Sequence, residues 1–302
     1  MKYGISLNIN ESLKDIVEKS REIERLGFEY IWVADTPSQR YAPLVASMIA
    51  KETKRVKIGV GVLSPFLYSE RQIANAVKTL TEIYGERFEV CIGPGDVDQL
   101  RRIGIDLLGA GSIPKHMLES KSRIDAALKE YGLRTPIWLG AQGQRIIKIS
   151  KFFHGVLLNY AHPTLIKWAV EVIRAVGGEK VKLGVYAPSY VYAGEEEENI
   201  SKLLALAAST VVLGSSESTM KRIGLREEIL RARAKLREGL PLEEAMRLLP
   251  GELLENFSIH MSACKLKNYL SKLKDMGIEH IVFGFPQNFS NKIIRELAEA
   301  LF

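Results

Sequence analysis

Eight times along this chain a short apolar run gives way to an amphipathic stretch of helical period, and that alternation constrains the fold more than any single motif. The runs span residues 3–8, 29–34, 55–62, 88–92, 136–140, 155–159, 181–187 (with an extension at 190–193) and 280–285. They are short, rich in Val, Ile and Leu, and apolar at consecutive positions, as strands covered on both faces are. Between them lie helices. Ser12 caps the first, which carries Leu13, Ile16, Val17, Ile23 and Leu26 on one side and stops at Gly27. Strands separated by helices make parallel βαβ units. Eight units within 302 residues fit a closed (β/α)8 TIM barrel in one α/β domain, 1–302. An open doubly wound sheet usually has fewer strands. Residues 214–256 break the rhythm with short helices at 226–238 and 242–249 and no strand, which predicts a helical insertion before the last β/α unit.

The charge is mild. There are 42 basic and 36 acidic residues, a net charge of +6 with the signs interspersed, so no basic nucleic-acid patch is expected. The balance suits an anionic small molecule. Cys91 and Cys264 give neither a disulfide framework nor a metal spacing, and the five histidines show no ligand pairing; no metal site is expected. The N-terminus turns polar early and no apolar run nears 18 residues, so a soluble, cytoplasmic protein away from membranes is expected. A surface rich in Lys, Glu and Arg is of the kind thermophile proteins carry.

Two strands end alike. RFEVCIGPGD (87–96) stops at Gly93-Pro94-Gly95, where Pro94 cannot continue a ladder and the glycines admit close approach. TPIWLGAQG (135–143) runs into a second glycine corner followed by a helix. Two such corners at strand C-terminal ends point to a site at one end of the barrel. Asp96 stands at a capping position before Val97, and is equally placed to act as a carboxylate on a substrate. Asp35, before Thr36-Pro37, reads as a turn residue, and Asn159 as a strand end. Gly59 and Gly61 inside the third strand signal a bulge or a close packing contact. Trp32, Trp138 and Cys91 read as core. The acidic run 195–198 reads as a solvated helix start.

In order along nearly the whole chain, Gly27-Phe28-Glu29-Tyr30 with Trp32 and Asp35, Lys57-Ile58-Gly59-Val60-Gly61-Val62, Ile92-Gly93-Pro94-Gly95-Asp96, Gly140-Ala141-Gln142-Gly143, Leu158-Asn159 and Met276-Gly277-Ile278 up to Gly284 resemble the bacterial-luciferase-like superfamily of flavin and deazaflavin enzymes. Within it they most resemble the coenzyme F420-dependent methylenetetrahydromethanopterin reductases of archaea. The resemblance implies a deazaflavin across the C-terminal mouth of the barrel and hydride transfer to a small-molecule substrate, a pterin in those reductases. It implies a non-prolyl cis peptide at Gly61–Val62 backing the ring, and cofactor contacts from Asp35, Thr36, Gly59, Gly61, Val62, Gly93 and Asn159. Residues Gly140, Ala141, Gln142, Gly143 and Gln144 would meet the cofactor's phosphate at a helix N-terminus, and Asp96 would be the catalytic carboxylate. Two positions depart from the reductases: Ser6 stands where they carry Glu, and Thr36 where they carry His, so another small-molecule substrate is also implied. FMN with monooxygenase chemistry, and a paralogue that has lost catalysis and serves as a binding subunit, are the alternatives. Related barrels imply at least a homodimer.

Overall fold

The computed structural model describes residues 1–8, 11–36, 39–105, 107 and 112–302. Eight parallel strands close into a ring: β1 (Lys2–Asn8), β2 (Tyr30–Ala34), β3 (Lys57–Leu63), β4 (Phe88–Ile92), β5 (Ile137–Ala141), β6 (Gly155–Leu158), β7 (Lys182–Tyr192) and β9 (Ile278–Gly284). Each pairs with its predecessor as far as β7, then β7 pairs with β9 and β9 with β1. The ring closes because every connection is a right-sized crossover whose helix covers the outer face. The helices α1 (Leu13–Arg25), α2 (Ala42–Glu52) and α3 (Glu70–Tyr84) fill the first gaps, and α4 (Val97–Arg102) and α5 (Ile113–Glu130) follow β4. Then come α6 (Gln144–Ile147), α7 (Pro163–Ala175) and α8 (Glu198–Leu213). Their starts follow the sequence: Ser12 Oγ accepts the Asp15 N–H at 3.1 Å, and Ser69 with Gln72 completes a capping box before α3.

The insertion is helical, as expected: α9 (Glu217–Ile223), α10 (Arg226–Arg237), α11 (Leu242–Met246) and α12 (Gly251–Glu255). Two details differ from the sequence reading. A ninth strand, β8 (Ile259–Ser262), pairs with the upper half of β7, which runs unbroken from Lys182 to Tyr192 instead of in two pieces. Four residues, IHMS, are too few to show a period. The helix expected after Gly143 also breaks, into α6 and a 3-10 turn at Ser150–Phe152. The last units are α13 (Ala263–Asp275), β9 and α14 (Asn291–Leu301). No single helix among the described residues is long and apolar enough to cross a membrane.

Alternate strand residues face two cores. Ile5, Leu7, Ile31, Val33, Ile58 and Val60 pack outward under the helices. The barrel interior holds Tyr30, Trp32, Cys91, Trp138, Leu157 and Val282, with Val62 and Tyr186 partly exposed above them. The two indoles need room that glycine supplies. A Cβ on Gly59 would stand 2.4 Å from the Trp32 ring, and one on Gly155 2.4 Å from that of Trp138. Their N–H groups are satisfied inside, Trp138 on Glu89 (2.6 Å) and Trp32 on His280 Nε2 (2.9 Å). Tyr30 also donates to Glu89, at 3.0 Å, and Lys57 pairs with it at 3.3 Å. The lower part of the barrel is therefore a packed plug with its polar groups paired inside.

Candidate active site at the barrel mouth

The mouth is shaped by β3. The Gly61–Val62 peptide is cis, as the resemblance implied, and the β3–β4 register slips between Val60 and Leu63. A Cβ on Gly61 would lie 2.5 Å from the Cys91 carbonyl, so only glycine lets the strand approach β4 there. Val62 then leans across its neighbours. Its two γ-carbons each stand 2.7 Å from where a Cβ on Gly93 or on Gly140 would be. The ends of β3, β4 and β5 thus form a shelf of backbone capped by one partly exposed apolar side chain. Four of the expected residues, Gly61, Val62, Gly93 and Gly140, meet here. Gly59 does not: it sits one inward position lower, beneath Trp32, and its missing side chain serves that ring.

Acidic groups flank the shelf. Asp35, just past β2, accepts the Tyr68 O–H, which stands 3.2 Å from each of its carboxylate oxygens. Burial pushes its carboxyl up to about 6, against the lowering effect of Tyr68 and of the Ala42 N–H. Thr36 follows and its carbonyl accepts the Gln39 N–H at 2.9 Å; Pro37 lies outside the described residues. Asp96 Oδ1 accepts the Gln99 N–H at 3.0 Å, so the capping role is real, and the carboxylate remains partly exposed beside Gly95, which packs on Ser64. Ser64 Oγ in turn donates to the Pro94 carbonyl at 2.9 Å, locking the β3 and β4 exits together.

The second corner is met by the insertion. Ser218 Oγ accepts the Gln144 N–H at 3.1 Å, and Ser216 Oγ stands 2.7 Å from a Cβ position on Gly143. The Gln142 carbonyl accepts the Thr219 hydroxyl at 3.3 Å, and Gln142 Nε2 reaches the Val211 carbonyl at 3.4 Å. Ala141 is buried, and its carbonyl accepts the Asn159 N–H at 3.1 Å. Three hydroxyl groups and the start of α6 therefore share one polar corner, suited to an anion. Sequence reasoning named Gly143 and Gln144 for this corner but not Ser216 and Ser218, which the structure brings beside them; the run SSEST opening α9 was the available signal.

Sequence reasoning also missed Tyr186. Its hydroxyl is hydrogen-bonded to Ser6 Oγ at the floor of the mouth. Burial pushes the phenol up to about 12, the Ser6 hydrogen bond opposing that rise. Among the described residues no group of His, Cys, Asp and Glu is arranged to hold a metal ion.

Residues 1–107 match the family model described as luciferase-like monooxygenase. Over 95% of this chain and 94% of the relative, the sequence is 25% identical to the 5,10-methylenetetrahydromethanopterin reductase of Archaeoglobus fulgidus. The fold superposes on the coenzyme F420-dependent tetrahydromethanopterin reductase of Methanopyrus kandleri with a TM-score of 0.83, at 20% identity over 99% of this chain and 97% of that one. An F420-dependent secondary alcohol dehydrogenase, solved with an F420–acetone adduct, superposes with a TM-score of 0.75 at 16% identity over 100% and 99% of the two chains.

Proposed function

From its kinship with the luciferase-like barrels and, along nearly its whole length, with methanopterin reductases, we propose that this chain is a coenzyme F420-dependent oxidoreductase. It would move a hydride between the deazaflavin and a small organic substrate. The observation that carries this reading is the glycine shelf. A flat, largely apolar ring needs a surface without protruding side chains, and the inward positions at the ends of β3, β4 and β5 are Gly61, Gly93 and Gly140 under Val62. The residues present fit such a ring.

When bound, the deazaflavin supplies the hydride chemistry; the protein supplies position and electrostatics. Val62 would support the ring, and Asp35, Thr36 and Asn159 would offer it polar groups. Gly143, Ser216 and Ser218 would hold the phosphate with N–H and O–H donors, with the Gln144 N–H steadying Ser218 Oγ from behind. Asp96 orients the substrate or carries its proton while keeping the first turn of α4 capped. The expected homodimer belongs to this reading and is checked by sedimentation of the loaded protein.

Titration with F420, read by quenching of its fluorescence, tests the proposal, with FMN in parallel. Dissociation at tens of micromolar or tighter, about 6 kcal/mol or more, and selective for F420, is the expected result. Selective FMN binding would move the chain to the monooxygenases, and binding of neither would leave it a binding subunit.

A further inference from the structure

Among the described residues, the cluster inside the barrel reaches solvent through two side chains, Val62 and Tyr186; its other members are buried. Val62 has no polar atom. Tyr186 ends in a hydroxyl bonded to Ser6 across the intervening strand β9. Two hydroxyls joined by one hydrogen bond keep one O–H to give away. Ser6 is 1% exposed and Tyr186 partly exposed, so the outward donor is the phenol, with Ser6 donating to its oxygen from behind. At neutral pH the pair is uncharged, since burial raises the phenol. Such a pair does little for a cationic substrate, because it brings no negative charge. It suits an oxygen that gains negative charge as the reaction proceeds, where a donor aimed at the developing oxyanion is effective.

We propose that Tyr186 is a catalytic residue and Ser6 its positioning partner, and that together they bind and protonate a carbonyl oxygen, making the substrate pair a ketone and its secondary alcohol. This rests on the F420 reading above. In the reducing direction the carbonyl carbon gains the hydride given up by the reduced deazaflavin. The carbonyl π pair moves to oxygen, which takes the proton from Tyr186 and becomes the alcohol hydroxyl. The phenolate, held by the Ser6 O–H, regains a proton from water at the mouth. As the hydride leaves, the ring N–H proton of the reduced deazaflavin passes to water and replaces the one the phenolate takes up, so the sum is ketone and reduced deazaflavin giving alcohol and oxidised deazaflavin.

The test uses the F420-loaded protein with cyclohexanol and cyclohexanone as probes, beside Tyr186→Phe, Ser6→Ala and Ser6→Thr. Calorimetric binding of cyclohexanol should weaken at least tenfold in Tyr186→Phe and Ser6→Ala, while F420 affinity stays within about twofold. Turnover, followed at the deazaflavin absorbance, should fall 10²–10⁴-fold in Tyr186→Phe and recover in Ser6→Thr relative to Ser6→Ala. Variants that bind and turn over the probes like the parent would overturn the proposal. So would a parent that ignores both probes yet reduces a methylene-pterin. A parent that binds no F420 would overturn the underlying reading, and this inference with it.

Discussion

Two titratable residues, half-buried Asp35 and buried His280, make opposite demands on pH. Asp35 has its carboxyl raised to about 6, so between pH 4 and 6 the folded chain holds a proton that the unfolded chain has already released. Its contribution therefore falls as pH rises through that window, by about 3 kcal/mol at most. His280 is pushed down to about 4 by burial, with its Nε2 accepting from Trp32 and its Nδ1 against the Lys2 carbonyl. Here the unfolded chain takes up the proton first, so stability falls as pH drops from about 6.5 to 4. Because the two effects overlap and oppose, difference curves separate them. In denaturant titrations Asp35→Asn should gain on the parent as pH rises from 4 to 6. His280→Gln, whose amide can keep both hydrogen bonds, should gain on it as pH falls from 6.5 to 4. A difference that is flat in pH for either variant contradicts the assignment.

At the scale of elements, the strand ends are fitted to one another through Val62. A methyl group on Gly140 has no free space, and overpacking of this kind costs about 1–3 kcal/mol. Gly140→Ala should lower both stability and F420 affinity, and adding Val62→Ala should restore most of the stability, which thermal unfolding reads. Gly59→Ala should cost stability through Trp32 alone and leave the affinity of the surviving folded protein near that of the parent. The insertion is tied down separately: Arg233 of α10 donates to the Leu213 carbonyl at 2.6 Å and also to that of Ser215. Arg233→Ala should loosen Ser216 and Ser218 and weaken F420 binding several-fold while the barrel keeps its melting temperature within a few degrees. These contacts also show what a sequence can carry. Gly61, Gly93 and Gly140 were visible because glycine interrupts an apolar run and so marks close approach. Ser216, Ser218 and Tyr186 were not, because hydroxyl residues in a helix start or an apolar strand have ordinary local explanations, and only ring closure brings them to the mouth. Gly59 is the reverse case: two glycines in one strand look alike in the sequence until the inward layers are built and Trp32 fills the space beside one of them.

For the molecule as a whole, the alternation of apolar runs with helices carried the barrel, its eight-strand ring and the position of the insertion. It could not carry β8, four residues long, whose existence depends on β7 projecting beyond the ring to offer an edge. The lower part of the barrel is filled by Tyr30, Trp32, Trp138, Glu89 and His280, while the upper part is glycine, a valine and a hydroxyl pair. On the proposed function, this division would put binding at the C-terminal mouth and stability beneath it. Hydrogen exchange of backbone amides, with and without saturating F420, tests that most directly. The account predicts added protection at residues 61–66, 93–99 and 142–147 and at the start of α9, with little change at the lower strand ends. Protection centred on the lower opening, around Lys2, Arg55 and Lys57, or none anywhere at saturating F420, would contradict it.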